Sequence, residues 1–236
     1  MMIISAEEKL MYGVMKAVYD SGVPVNFKGS MVLKACLIEA GYAEETRHTV
    51  DIDANWFTDT PPTAEQMVES FQKAISKSGL DLKVGIYRMY GESRSAGFEL
   101  TDGNSGEVLF TMDVDVNRAA SLTKKYEVAD VRFCGAAPVQ MISDKIAVVS
   151  TDKVFRRIKD VVDLYYISHV VRFDRVAVLE TLKNGGRELN GFNGFLNRTE
   201  ELKHSYEKFR FSGDAGKPPF EEVYYTVKEY IKDVLP

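Results

Sequence analysis

The chain has 236 residues, 45% of them hydrophobic and 28% charged, so it can form one large domain or two small ones with an ordinary core. The formal net charge of −5 argues against a general nucleic-acid coat protein, although it leaves room for a local basic site. The two cysteines lack the spacing of a zinc site and are too few for a disulfide scaffold. Neither a secretory signal nor an apolar run of roughly 20 residues is visible, so we expect a cytoplasmic protein that does not bind a membrane.

The first half of the chain predicts alternating helices and strands. Apolar residues between 6 and 20 recur at helical spacing and precede Gly22, which is typical of a helix end. The sequence DGNSG is a turn signal that should join the last two strands of this region into a hairpin. We predict helices at 6–20, at 30–41 and from Thr63 onward, and strands at 23–27, 46–56, 82–90, 96–102 and 107–116. Residues 126–135 predict one more strand.

The character of the chain changes at Pro138, after which helical patterns predominate. We predict helices at 141–149, 154–169, 175–183, 199–209 and 220–234. Loops at 183–194 and 211–219 separate the last helices. The sequence therefore predicts an α+β fold with a mixed sheet flanked by helices in a domain of residues 1–137, followed by a helical domain of residues 138–236.

Two pairs of aspartates lie within predicted strands. Asp51 and Asp53 belong to the stretch RHTVDIDANW, and Asp113 and Asp115 belong to EVLFTMDVDV. Because side chains alternate along a strand, each pair should share one face, where the carboxylates repel each other. Magnesium prefers such hard oxygen ligands and would remove the repulsion. The alternative is an edge strand whose aspartates face solvent.

A candidate anion-binding turn precedes the first aspartate pair. In NFKGSMVLK a predicted strand leads through Gly29 and Ser30 into a helix. Glycine permits close approach of a ligand to the backbone, and a helix N-terminus offers free N–H groups to a phosphate. Ser30 is alternatively a simple N-cap residue.

The turn and the D-x-D strand together resemble the nucleotidyltransferase superfamily, whose signature is a Gly-Ser turn followed by such a strand. FKGSMVL and RHTVDID look like the K-G-G-[ST] turn and the R-x-[ST]-x-D-I-D strand of the AbiEii toxin family. A second block, MISDKIAVVSTDKVFRRIKDVVDLYYI, is similar to the acidic-Lys pair, the arginine and the R-D-x-x-D-L segment of that family. The resemblance covers about residues 24–167. It departs from the family at Ser30, Met31 and Lys159, which replace the second glycine, the Ser/Thr and the arginine.

The resemblance implies a role for the carboxylates and the turn. Asp51 and Asp53 would bind a magnesium ion, or manganese, that bridges to a nucleoside triphosphate. A third carboxylate would complete the metal site and activate the attacking hydroxyl, with Asp115 preferred to Asp113. The residues that would contact the nucleotide are Lys28, Gly29, Ser30 and Arg47, although Arg47 could instead only offset the charge of Asp51.

The second block implies further site residues. Lys145 would neutralise phosphate charge, unless it is an ordinary surface lysine. Asp160 and Asp163 are three apart and share a helix face. One of them, with Asp160 preferred, would be an additional catalytic carboxylate, and the other would be a structural partner of Arg156 or Arg157.

The function implied is transfer of an NMP group from an NTP to an acceptor, with RNA or tRNA as the expected acceptor and an antitoxin as an expected partner. Seven basic residues could form a local basic face for RNA: Lys183, Arg187, Arg198, Lys203, Lys208, Arg210 and Lys217. The alternatives are a degenerate, non-catalytic member of the fold that binds a nucleotide or a partner protein, and a metal-dependent nuclease. A nuclease would share the carboxylates but would not need the Gly-Ser turn.

Overall fold

The computed structural model describes residues 4–44, 46–47, 49–90, 95–116, 121–211 and 217–236. These residues form two compact units. The described residues between 4 and 39 and between 49 and 136 form the sheet unit, and those between 40 and 47 and between 137 and 236 form the helical unit. The segment that precedes the first aspartate pair therefore groups with the C-terminal helices, which the sequence did not predict.

A mixed sheet forms the centre of the sheet unit, with seven strands in the described residues and the order β3-β4-β5-β2-β1-β7-β6. Two neighbouring pairs, β2 with β5 and β1 with β7, are parallel, and the other pairs are antiparallel. The strands are β1 (Val25–Lys28), β2 (Asp51–Trp56), β3 (Leu82–Tyr90), β4 (Ser95–Asp102), β5 (Val108–Asp115), β6 (Thr123–Val128) and β7 (Val131–Ala136).

Three helices of the sheet unit cover its apolar face: α1 (Ala6–Asp20), α2 (Gly29–Glu39) and α3 (Ala64–Ser78). Helix α1 begins with a capping box, in which the Ser5 hydroxyl accepts from the Glu8 N–H and the Glu8 carboxylate accepts from the Ser5 N–H. The core between sheet and helices is aromatic. Phe71 of α3 meets Phe98 of β4 edge to face at 5.5 Å between ring centroids.

The helical unit contains α4 (Pro138–Val149), α5 (Ile158–Ser168), α6 (Arg175–Asn184), α7 (Asn193–Asn197), α8 (Thr199–Lys208) and α9 (Phe220–Tyr230), with 3₁₀ turns at Val154–Arg157 and Lys232–Val234. Helix α5 is buried along most of its length, from Ile158 to Ile167. Among the helices that the structure describes, none has the length and apolar character needed to cross a membrane.

The predicted α+β class is confirmed, and several element boundaries differ from the prediction. The strand predicted at 46–56 begins only at Asp51, and the helix predicted at 154–169 opens with a 3₁₀ turn. The loop predicted at 183–194 runs into the short helix α7. Most of the loop predicted at 211–219 lies outside the described residues, since 212–216 are not described.

The single strand predicted at 126–135 is wrong, because the chain forms a hairpin of β6 and β7 there. Its two turn residues, Ala129 and Asp130, both have positive φ, at 47° and 67°. Alanine seldom adopts that conformation and is no turn signal, so the turn is not visible in the sequence.

Candidate active site

The aspartates of β2 and β5 lie on the face of the sheet opposite its core. In β2, Ile52 and Ala54 are fully buried, whereas Asp51 and Asp53 are half-buried between them. In β5 the same alternation buries Met112 and Val114 and leaves Asp113 and Asp115 half-buried. Period-two geometry therefore assigns all four carboxylates to one polar face.

The strand register decides which carboxylates are neighbours. Strands β2 and β5 are parallel, and Asp53 pairs with Asp113, while Asp51 pairs with Thr111 and Asn55 with Asp115. Register partners on adjacent strands are about 4.8 Å apart. Asp53 and Asp113 are thus cross-strand neighbours, whereas the residue preferred from the sequence, Asp115, lies opposite an asparagine.

Gly29 lets the Asp53 carboxylate approach the backbone at the start of α2. Lys28, the last residue of β1, pairs with Asp53, and Gly29 follows with φ of +74°. A Cβ atom at Gly29 would lie 2.2 Å from Oδ2 of Asp53. The glycine is needed both for its backbone conformation and for this contact. Ser30 is buried inside the first turn of α2 rather than preceding the helix, so the N-cap alternative is wrong.

Two cations of the sheet unit are bonded to the polar face. Lys28 donates from Nζ to Oδ1 of Asn55 at 2.5 Å and lies 3.7 Å from Oδ2 of Asp115. Arg88 of β3 donates from Nη2 to Oδ2 of Asp113 at 3.0 Å. These contacts partly compensate the mutual repulsion of the carboxylates.

Hydroxyl groups hold the remaining oxygens of the second aspartate pair. Ser95 donates to Oδ1 of Asp115 at 3.2 Å, and Tyr90 donates to Oδ1 of Asp113 at 3.2 Å. Desolvation and the negative charge of Asp113 raise the pKa of Tyr90 above its usual value, so the phenol stays protonated and remains a donor. Arg88, Tyr90 and Ser95 were not predicted as site residues, and nothing in the local sequence singles them out.

A cavity of about 330 Å³ opens on this face, and its lining includes Lys28, Asp53, Tyr90, Asp113 and Asp115. Its volume is at the lower end of the range for small-molecule sites, roughly 300–1,000 Å³. The lining combines three carboxylates, one lysine and one aromatic ring. Such a site favours a ligand that carries both a metal ion and anionic groups.

The carboxylates of this face fit a magnesium ion in one specific way. Among the described residues, no group of three or more His, Cys, Asp or Glu side chains is arranged to hold a metal ion by itself. Magnesium in phosphoryl-transfer sites is held by one or two carboxylates, with waters and substrate phosphates as its other ligands. The neighbouring pair Asp53 and Asp113 meets that requirement.

The helical unit contains a second charged cluster, which is buried. Lys145 of α4 donates from Nζ to Oδ2 of Asp163 at 2.6 Å and lies 3.4 Å from Oδ1 of Asp160, both on α5. Arg47 donates from Nε to Oδ1 of Asp163 at 2.6 Å and from Nη2 to Oδ2 at 3.1 Å. Arg157 donates from Nε to Oδ2 of Asp160 at 2.9 Å. Asp163 therefore connects α5 by ion pairs both to α4 and to the segment before β2.

The pairing sets the ionisation of this cluster. Burial opposes the charge on Asp163, but Lys145 and Arg47 more than offset it and hold the pKa of Asp163 well below its usual range. Burial would lower the pKa of Lys145, whereas Asp163 and Asp160 raise it, with a net increase. The lysine and Asp163 are therefore both charged across the ordinary pH range.

These contacts correct two interpretations of the sequence. Lys145 is 8% exposed, so the alternative of an ordinary surface lysine is wrong. The partners of Asp163 are Arg47 and Lys145 rather than Arg156 or Arg157. Arg157 instead bonds Asp160, the residue preferred for catalysis.

The basic face predicted for RNA in the helical unit is partly neutralised. Arg187 pairs with Asp144 at 2.7 Å, and Lys203 pairs with Glu221 at 2.7 Å. Arg198 forms an ion pair with Glu201 at 2.5 Å. Three of the seven basic residues thus carry acidic partners, which weakens the case for this surface as an RNA site.

Comparison with known proteins gives a structural likeness without a sequence match. No family model matches the chain, and no curated protein matches it. Among solved structures, the fold is similar to that of MenT4, a nucleotidyltransferase toxin from Mycobacterium tuberculosis H37Rv, with a TM-score of 0.62 over 97% of this chain and 83% of that chain. The identity is 13%, so the likeness concerns the fold alone. The chain is therefore similar in fold to this nucleotidyltransferase toxin, and membership of the AbiEii family stays a prediction.

Proposed function

We propose that the protein is a magnesium-dependent nucleotidyltransferase that moves an NMP group from an NTP to an acceptor. The observation that carries the proposal is the position of the Asp53 carboxylate, which lies against the Gly29 turn and beside Asp113 on the next strand. A D-x-D strand beside a glycine turn at a helix N-terminus combines a metal-binding group with a phosphate-binding group. The likeness to MenT4 supports the same assignment at the level of fold.

In this proposal Asp53 and one carboxylate of β5 hold the metal ion, whereas Asp51, a ligand by the family resemblance, lies on the same face of β2 beside them. The register favours Asp113 over Asp115, because Asp113 pairs with Asp53 whereas Asp115 pairs with Asn55. Magnesium, or manganese in its place, would supply charge stabilisation to the phosphates undergoing transfer. The carboxylate that is not a ligand would stay bonded within the polar face.

The triphosphate would bind at the start of α2. The first N–H groups of that helix have no partner within the helix and point toward an anion placed at Gly29 and Ser30. Lys28 lines the same cavity as Asp53 and supplies a positive charge there. Phosphoryl transfer depends mainly on positioning and charge neutralisation, so the site needs no nucleophilic histidine or cysteine.

Lys145 and Asp160 enter the proposal through the resemblance of the second block to the family, and Arg47 enters it through the first block. Lys145 would neutralise phosphate charge, and its two carboxylate partners keep its ammonium protonated. The test is Lys145→Ala, compared with wild type for NTP affinity and turnover at saturating magnesium. A matched control is Arg157→Gln, which removes an exposed cation from the same cluster. Unchanged affinity and turnover in Lys145→Ala would make Lys145 a purely structural residue.

We propose RNA, tRNA included, as the acceptor and an antitoxin as the partner that restrains the enzyme. The experiment is to incubate the protein with each labelled NTP, magnesium and total cellular RNA or protein, and to look for a labelled acceptor. Asp53→Asn is the inactive variant, and Asp59→Asn is the control, since Asp59 is an exposed aspartate outside the cavity. The proposal is supported if wild type and Asp59→Asn label RNA and Asp53→Asn does not.

A thermal-unfolding measurement on the same proteins, with and without an NTP and magnesium, separates the non-catalytic alternative. A binding protein would gain thermal stability from an NTP and magnesium without labelling any acceptor. Absence of both the label and the stabilisation would contradict any nucleotide-based function for the polar face.

A further inference from the structure

A bulge in β3 redirects two side chains toward the polar face. Leu82 and Val84 face the core and are buried, and strict alternation would send Arg88 and Tyr90 to that same side. The register with β4 shifts by one residue between Ile86 and Arg88. The extra residue reverses the alternation, as β-bulges do beside functional sites.

After the bulge, Arg88 lies opposite Gly97 and Tyr90 lies opposite Ser95 on β4. Gly97 in turn pairs with Asp113. A Cβ atom at Gly97 would lie 2.6 Å from Oδ1 of Asp113 and 3.1 Å from Cγ of Arg88. The bulge and the glycine therefore combine to bring a guanidinium group to the carboxylate that neighbours Asp53.

Tyr90 holds this arginine in place. The Arg88 guanidinium lies 4.6 Å from the centroid of the Tyr90 ring, and the Tyr90 hydroxyl donates to Asp113. The Arg88 side chain is nevertheless 48% exposed. A guanidinium has five N–H donors in a planar fork, so a group that bonds one carboxylate oxygen retains donors for a second anion.

We propose that Arg88 is a phosphate-binding residue of the nucleotide site, which contacts the triphosphate of the NTP, and that Tyr90 positions it. This inference rests on the proposed function, because it assumes that an NTP occupies the cavity lined by Tyr90 and Asp113. A metal ion held by Asp53 and Asp113 would neutralise Asp113, and Arg88 could then form the paired N–H contacts that phosphate favours.

The test measures equilibrium binding of ATP, GTP, CTP and UTP to the intact protein in the presence of magnesium. For the NTP that wild type binds, Arg88→Gln should raise Kd by about tenfold or more, as loss of a charged hydrogen bond does. Arg88→Lys keeps the charge but loses the planar fork of donors, so its Kd should lie between those of wild type and Arg88→Gln. Lys83→Gln is the control, since it removes a positive charge from an exposed residue of the same strand.

Inorganic tripolyphosphate identifies the part of the ligand that Arg88 binds. It should compete with the NTP on wild type and lose affinity in Arg88→Gln in parallel. Tyr90→Phe keeps the ring but loses the hydroxyl. It should raise the Kd for the NTP less than Arg88→Gln does but more than Lys83→Gln does.

The outcomes distinguish this inference from the proposed function. If wild type binds an NTP and Arg88→Gln binds it as tightly or more tightly, Arg88 only neutralises Asp113 and the inference is wrong, whereas the proposed function stands. If wild type binds no NTP, the proposed function fails. If Lys83→Gln weakens binding as much as Arg88→Gln, the effect is one of net charge and the inference is again wrong.

Discussion

Replacement of Asp163 by alanine should destabilise the helical unit by about 3 kcal/mol. The Asp163 side chain is 1% exposed and accepts hydrogen bonds from both Lys145 and Arg47. Removing one partner of a buried ion pair costs about 3–5 kcal/mol, because the opposite charge is left buried and uncompensated. Asp160 remains 3.4 Å from the lysine and retains part of the compensation, which places the expected loss at the lower end of that range.

Urea unfolding can follow the two units by separate signals. Trp56, the single tryptophan of the chain, belongs to the sheet unit, so its fluorescence reports on the sheet. The far-ultraviolet circular dichroism at 222 nm sums all nine α-helices that the structure describes, six of them in the helical unit, so a dichroism change that precedes the fluorescence change is assigned to the helical unit. The Asp163→Ala variant should lower the free energy of unfolding obtained from the dichroism signal.

The control is Arg157→Gln, whose side chain is 50% exposed. Exposed ion pairs contribute about 1 kcal/mol or less, so this variant should unfold near the wild-type midpoint. If Asp163→Ala and Arg157→Gln lose the same free energy of unfolding, or if Asp163→Ala loses less than about 1 kcal/mol, the buried cluster does not stabilise the helical unit.

Three further predictions concern the two charged sites. Gly29→Ala should destabilise the protein more than Gly22→Ala in thermal unfolding, because both residues have positive φ but only a Cβ at Gly29 meets Asp53; equal losses would refute the contact. Asp53→Ala should abolish label transfer while leaving the melting temperature without magnesium unchanged or higher, since it relieves carboxylate repulsion; a clear decrease would make Asp53 structural. The pKa of Asp163 is lowered in the fold, so the stability that this residue contributes is present above its unfolded pKa of about 4 and is lost as the pH falls below that value. The difference in free energy of unfolding between wild type and Asp163→Ala should therefore shrink on acidification from pH 6 to pH 3. A constant difference would contradict this prediction.

Local patterns were sufficient to predict most elements of the sheet unit. The helix at 6–20 has both an amphipathic pattern and a capping box, and the strand at 82–90 alternates until its bulge. The shared face of Asp51 and Asp53 also follows from alternation alone, because a strand without a bulge places residues two apart on the same face.

The parts of the site that the sequence did not predict depend on contacts between distant segments. Arg88 reaches Asp113 only because a bulge shifts the register, and a bulge at a tyrosine has no composition signal. Arg47 bonds Asp163 across 116 residues of sequence, although its nearest charged neighbours along the chain suggested Asp51. The choice between Asp113 and Asp115 likewise needed the pairing of β2 with β5.

The long separation between Arg47 and Asp163 has a consequence for synthesis of the chain. At roughly 5–20 residues per second, a ribosome adds Asp163 about 6–23 s after Arg47, whereas Lys145 precedes Asp163 by only about 1–4 s. The ion pair between Lys145 of α4 and Asp163 of α5 can therefore form soon after both helices emerge. The segment before β2, by contrast, is synthesised before most strands of the sheet and long before Asp163. We expect docking of that segment to be a late event in folding. A chaperone that binds the nascent chain in this interval would bind it before the ion pair between Arg47 and Asp163 has formed.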